Sequence, residues 1–269
     1  MEKRMRLAMV VFLLILFLQP IGTSADEITG RQIIEEQQKR HAVKSDIATI
    51  VMLLVDKQGH KKARLIRRYG KEFSDGLRRG LIVFIEPKDV AGTALLTWEL
   101  PGGNSKQWVY LPGYKKMQRI ASQSKKSYFM GTDFTYEDLQ PDAIENYNYQ
   151  RKGDETLDGN PCYVVEISPA GKEEQRKSAY TKRVVWVRKD IFYPLKLEFY
   201  GRHDRLIKTQ TNHNLVKLEG DAWTAKKALM SNIRTGHSTV MGIKDQQVNV
   251  PIEDSVFTER FILSGMYLH

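Results

Sequence analysis

Six histidines, one cysteine and a knot of four carboxylates are the side chains with chemistry to offer. His41, His60, His203, His213, His237 and His269 show no metal-ligand spacing. Only His203 and His213 are placed to face each other across a strand, with Asp204 beside one of them; they read as turn and strand-surface histidines. Asp133, Glu137, Asp138 and Asp142 cluster, and Asp133 and Glu137 stand one helical turn apart, a spacing a general-acid pair can use. Charges at a helix start account for them more simply. Cys162, the only thiol, lies between Pro161 and Tyr163 and reads as a small buried hydrophobe. There is no G-x-S-x-G elbow, H-E-x-x-H, P-loop, G-x-G-x-x-G or C-x-x-C. The expectation is a protein that is not an enzyme, with no catalytic residue, metal or cofactor.

The elements around these residues are mostly strands. Asp46–Val55, Lys61–Phe73, Gly80–Ile85, Gly92–Leu100 and Gln107–Leu111 come first, separated by turn residues such as Asp56-Lys57-Gln58-Gly59 and Pro101-Gly102-Gly103-Asn104. Glu145–Thr156 and Cys162–Ser168 flank Asp158-Gly159-Asn160, a hairpin signal. Lys182–Arg188, Leu195–Tyr200, Leu206–Leu218, Trp223–Arg234 and Ser238–Val250 are further candidates; from these twelve runs about ten or eleven strands joined by short turns are expected, the pattern of one antiparallel sheet. Three helical exceptions are expected: an opening helix capped by Thr29, the segment Ser122–Leu139, and a turn around Ile252–Phe261.

Several strands are apolar on both faces. In the first, Ile47, Thr49, Val51, Leu53 and Val55 share one side, while Ala48, Ile50, Met52 and Leu54 share the other. A half-solvated antiparallel strand alternates instead. A large sheet of this kind must wrap its concave side around its few helices, as a closed barrel or as a shell around a cavity for an apolar ligand.

The first 25 residues read as a cleavable export signal: Lys3, Arg4 and Arg6, an apolar run from Leu7 to Leu18, a break at Pro20 and Gly22, then Thr23-Ser24-Ala25 as the cleavage site. Residues 26–269 then form a single domain. Of the 269 residues 41% are hydrophobic and 28% charged, too apolar for a disordered chain, and the formal charge is +10. Export makes nucleic acid an unsuitable partner for that charge. The basic residues are scattered over strands and turns and suit a solvated surface, with anionic headgroups as a second use.

The central segment is the most distinctive. A polar, basic stretch, Arg119 to Lys126, precedes Phe129-Met130-Gly131-Thr132-Asp133-Phe134-Thr135-Tyr136-Glu137-Asp138-Leu139. It has the character of an apolar lid on a solvated tether, with Gly131 as its hinge. Together with Phe84-Ile85-Glu86-Pro87, Gly92-Thr93-Ala94-Leu95-Leu96, Trp98, Trp108-Val109-Tyr110-Leu111-Pro112, Trp186-Val187 and Tyr193-Pro194-Leu195-Lys196, this block resembles the LolA-like outer-membrane lipoprotein-sorting proteins of Gram-negative bacteria. Their common form is F-M-G-S-D-F-[ST]-Y-E-D, and Thr132 keeps the serine's hydroxyl.

The resemblance implies a periplasmic half-barrel, mainly β, with helices plugging a concave hydrophobic face. It implies carriage of lipid or lipoprotein acyl chains towards the outer membrane, and association with an exporter of the resistance-nodulation-division type or an outer-membrane acceptor. A monomer is expected. Leu96, Trp98, Trp108, Tyr110, Phe129, Met130, Phe134 and Trp186 are the residues expected to line the cavity or its lid. The alternative is an interaction or sensor module on the same fold, without lipid transport.

Overall fold

The computed structural model describes residues 27–141 and 143–268. The export signal expected over 1–25, and Asp142, lie outside the described residues. Among the described residues thirteen strands form one antiparallel sheet. The chain starts in the middle of it: β1 (Ser45–Val55) is followed by β2 (Lys61–Glu72), β3 (Arg78–Glu86), β4 (Ala94–Glu99), β5 (Ser105–Leu111) and β6 (Lys116–Arg119), stepping to one edge. It then crosses to the other edge and returns through β7 (Tyr147–Leu157), β8 (Asn160–Pro169), β9 (Lys182–Arg188), β10 (Tyr193–Tyr200), β11 (Leu206–Lys217), β12 (Trp223–Asn232) and β13 (Ser238–Val248). β13 pairs with the free side of β1, so the two halves are seamed at the centre. β6 and β7 are the two edges and do not pair with each other; the sheet is an open half-barrel, not a closed barrel.

Local signals explain most boundaries. Asp158 and Gly159, both with positive φ, make the two-residue turn between β7 and β8. Helix α1 (Gly30–Arg40) starts with a capping box: Thr29 Oγ1 accepts from the Gln32 amide, and Gln32 Oε1 accepts from the Thr29 amide at 2.8 Å. A short helix, α2 (Gly171–Lys177), and the strand β6 are additions to the elements legible from periodicity. The C-terminal turn expected around 252–261 is a 3₁₀ turn (Asp254–Phe257) running into α3 (Glu259–Ser264).

The expected helix over Ser122–Leu139 does not form. Only Ser122–Lys126 is helical, as 3₁₀. Beyond it, threonine and aspartate side chains take the backbone donors a helix would need: Thr135 N–H donates to Asp138 Oδ2 at 2.6 Å, and Phe134 N–H to Thr132 Oγ1 at 3.3 Å.

The sheet has two separately covered faces. On one, Ala48, Ile50, Met52 and Leu54 of β1 continue into Ile66, Phe84 and Leu95, and meet Phe129 from the crossing segment. The same segment delivers Phe134 to Phe199 of β10 and Met230 of β12. One short loop reaches both halves only because the sheet curls around it, so this face is the concave one. Leu197 ties that cluster to a further one, where Ile33 and Ile34 of α1 cover Val165, Val185 and Val187. On the convex face, Leu81, Val83, Ala94 and Leu96 are covered by Ile252, Phe257, Ile262 and Tyr267 of the C-terminal segment.

Candidate functional site

The concave face holds a cavity of about 330 Å³ beneath the crossing segment. Its wall is made by Ile50 and Met52 of β1, Ile66 of β2, Ile82 of β3, Ala228 of β12, and Met241 and Ile243 of β13. Phe129, Thr132, Phe134 and Leu139 close it from the crossing segment. The wall therefore comes from strands whose alternate residues all point inwards; in β1 the outward set is only partly buried, with Val51 exposed.

Polar groups gather elsewhere on the lining: Arg68, Tyr193, Gln210, Asn212 and Thr224. Most are already engaged. Arg68 donates to Asp46 Oδ2 through Nε (3.0 Å) and Nη2 (2.7 Å) while remaining partly exposed. Buried Asp46 packs against Gly70, where any Cβ would stand 2.5 Å from its Oδ1. Asn212 Nδ2 donates to the Pro194 carbonyl at 2.8 Å, and Tyr193 Oη accepts from the Ala225 amide at 2.9 Å. Burial raises the pKa of Tyr193, so this hydroxyl is neutral at ordinary pH.

The crossing segment is a plug with an anchored base and a light tip. At the tip, Met130 and Gly131 both have positive φ and Thr132 N–H donates back to Phe129 O at 2.9 Å, a tight turn of the hairpin type. A Cβ at Gly131 would meet nothing within 4 Å, but its φ of +75° disfavours one. Arg64 holds the tip from outside, donating to Met130 O at 2.6 Å.

The base is fastened by three carboxylates, each to a different partner. Asp133 accepts from His237 Nδ1 (2.6 Å) and Thr239 Oγ1 (2.8 Å). Glu137 accepts from Ser178 Oγ and the Ala179 amide, both at 2.6 Å, and desolvation pushes its pKa up against those bonds. Asp138 takes the ammonium of Lys208 and the Tyr180 hydroxyl. These acids diverge to three anchor points instead of converging, so the spacing of Asp133 and Glu137 makes no acid pair. His203 sits in an exposed turn, and His213 meets Thr211 Oγ1 at 2.8 Å. Among the described residues no group of three His, Cys, Asp or Glu is arranged to hold a metal ion. Cys162 is buried on the convex side beside Val164 and Trp186.

Of the eight residues expected at the cavity, Phe129 and Phe134 line it, and Met130 packs against the same cluster from the tip. The other five do not reach it. Leu96, Trp98, Trp108 and Tyr110 point to the convex face, under or beside the C-terminal segment; Trp98 Nε1 donates to Phe257 O at 3.0 Å. Trp186 is on the convex side too, donating to Glu155 Oε2 at 2.7 Å. The reason is parity: in β4, Leu95 and Thr97 face inwards, so Leu96 and Trp98 cannot. Aromatic size does not report which face a strand buries.

A family described as an uncharacterized protein matches residues 76–264, and no curated protein matches the chain. Among solved structures, a domain described as an outer membrane lipoprotein-sorting protein, from Vibrio parahaemolyticus, is 36% identical with a TM-score of 0.81, over 87% of this chain and 98% of that one. The chain belongs to the LolA-like outer-membrane lipoprotein-sorting protein family. A DUF1329 family protein from Desulfovibrio piger is 30% identical with a TM-score of 0.81, over 87% of this chain and 97% of its own. A LolA superfamily protein from Nitrosomonas europaea shares the fold at 19% identity, with a TM-score of 0.68 over 87% and 99%. In this LolA-like chain the F-M-G-T-D-F-T-Y-E-D block is the plug itself, and its three carboxylates are its anchors. Among its described residues, no helix is long and apolar enough to cross a membrane.

Proposed function

We propose that this LolA-like protein is a periplasmic carrier that holds lipid or lipoprotein acyl chains in the concave cavity for transfer towards the outer membrane. The observation that carries the reading is the cavity: about 330 Å³ of space, walled mainly by apolar side chains with isoleucine the commonest, under the family's own sequence block. Ligand pockets begin at about 300 Å³, so one chain segment fits and a large headgroup does not. Each methylene taken from water contributes about 0.8 kcal/mol, so part of one acyl chain suffices for reversible binding. The partly exposed Arg68, with Gln210 and Asn212, marks the polar side, where an ester or headgroup would sit.

Release needs a part that moves. The base of the plug is anchored by buried charges, whereas the Phe129–Thr132 turn is held by one arginine and by packing. The tip, flexing at Gly131, is the gate in this reading. Partners supplied by the family reading are a resistance-nodulation-division type exporter and an outer-membrane acceptor.

Solvent extraction and mass spectrometry of the protein recovered from the periplasm test the proposal. Stoichiometric lipid or acylated peptide is expected. A protein that carries none and takes up no fluorescent fatty-acid analogue would be an interaction module on this fold instead of a carrier.

A further inference from the structure

Residues 100–132 contain no aspartate or glutamate and six cations: Lys106, Lys115, Lys116, Arg119, Lys125 and Lys126. This stretch builds the β5–β6 edge of the sheet and the 3₁₀ turn after it. Lys115, Lys116, Arg119 and Lys126 are exposed, and none has an ion-pair partner among the described residues. On the opposite half of the sheet the pattern is reversed: Lys182, Lys189 and Lys196 each meet a carboxylate.

The same edge carries exposed apolar side chains. Tyr114, at the tip of the β5–β6 hairpin, is 81% exposed. Behind it on the convex face, Tyr110 pairs with Met117 and Trp108 with Arg119. Phe261 and Tyr267 pack in the cluster that holds Tyr110 and Met117, and their neighbours Leu263 and Met266 are 50% and 59% exposed. One end of the molecule thus combines unpaired cations, a protruding tyrosine and loose aliphatic groups.

We propose that the β5–β6 edge, led by Tyr114, Lys115 and Lys116, docks on an anionic phospholipid surface. The residue types favour lipid over protein. Five of the six cations are lysine, which protein interfaces deplete and polybasic membrane contacts use. Tyrosine settles at headgroup depth, with its ring among the upper methylenes and its hydroxyl in water. A hairpin tip offers a narrow projection, suited to entering a headgroup layer and too small for a stable protein interface. None of Tyr114, Lys115 and Lys116 lines the cavity, so the inference goes beyond the carrier reading and stands without it.

The test is partition of the exported protein onto vesicles of phosphatidylcholine, with and without phosphatidylglycerol. Binding is expected only to the phosphatidylglycerol vesicles and to weaken as salt is raised. Tyr114→Ser combined with Lys115→Gln and Lys116→Gln is expected to bind about thirty-fold more weakly, from the loss of two surface lysines alone. Its thermal midpoint and its uptake of a fluorescent fatty acid are expected to match the parent. Equal partition onto neutral vesicles, or an unaffected triple variant, overturns the proposal; absence of vesicle binding does so as well and assigns the patch to an acidic protein. A parent protein that binds the phosphatidylglycerol vesicles but takes up no fluorescent fatty acid would instead strike the carrier reading alone.

Discussion

Lys208 of β11 and Asp138 of the plug form an ion pair with both side chains out of water, at 1% and 6% exposure. The pair stitches the crossing segment to the sheet at its base. Asp138 also accepts from the Tyr180 hydroxyl at 2.8 Å, and Lys208 donates to Asp133 O at 3.0 Å with the Tyr180 and Phe199 rings about its ammonium. Burial lowers the pKa of Lys208 while Asp138 pulls it back up. Removing one member of such a pair strands the other, which costs about 3–5 kcal/mol. Lys208→Met is therefore expected to lose that much in urea denaturation. A loss under about 1 kcal/mol would mean the plug is not anchored there.

Blocking the cavity separates binding from folding. Ala228 lines it among Met241 and Ile243, and Ala228→Phe places a ring in the open volume. Fluorescent fatty-acid affinity is expected to fall at least about tenfold, with stability held within about 1.5 kcal/mol because the new side chain fills existing space. Unchanged affinity would put the ligand elsewhere.

The convex tryptophans make the opposite prediction. Trp98→Phe removes the hydrogen bond to Phe257 O that fixes the C-terminal segment. Stability is expected to drop by about 1 kcal/mol, with fatty-acid binding unaltered. Weakened binding would contradict the assignment of faces.

His41 should make docking of α1 pH-dependent. Its Nδ1 accepts from the Trp223 amide at 3.1 Å and its Nε2 faces Phe192 O at 3.2 Å, an arrangement that needs the neutral ring. Burial lowers its pKa from the ordinary 6.5, opposed by the carbonyls of Phe192 and Ile191 and assisted by Arg40. A histidine with a depressed folded pKa contributes stability that is present above 6.5 and lost as pH falls through the folded value. The protection of amides in Gly30–Arg40, with exchange corrected for its intrinsic pH dependence, is expected to fall on acidification below 6.5, and that fall is expected to be lost in His41→Gln. An identical slope in the variant would assign the effect to another group.

Gly131→Val tests the gate. A Cβ there meets nothing within 4 Å, and the left-handed φ costs a side chain about 1–2 kcal/mol. Ligand exchange in stopped-flow mixing is expected to slow by more than that loss of stability explains. Parallel loss of both would make Gly131 a turn residue only.

The half-barrel was legible because its cause is local: short turns between β-branched runs leave little but an antiparallel sheet, and two-sided strands leave little but a curled one. The Asp158-Gly159 turn and the Thr29 cap stand where their residue types require. The cavity wall was half legible. Ala48, Ile50, Met52 and Leu54 were recognisable as one face of β1, but nothing within a strand says which face is concave. That choice is made by the plug, through contacts between residues far apart in sequence. It sent Trp98 and Trp108 outwards despite their size. Lys208 was invisible for a similar reason: a lysine in a strand reads as solvent-facing until its partner, 70 residues away, is in place.

The seam between β1 and β13 has a consequence for how the molecule is made. It pairs Asp46 with Val248 and Val55 with Ser238, so it joins the ends of the domain across most of its length. Each half can zip by neighbouring hairpins, but this pairing must close the longest loop in the chain and so comes late. Until then the free flank of β1, one of the most apolar strands, is an unpaired edge open to other chains. The chamber is completed by the final zip, which brings together the two halves that the plug contacts. Aggregation during folding, more than instability once folded, is the hazard this architecture sets for a newly made chain.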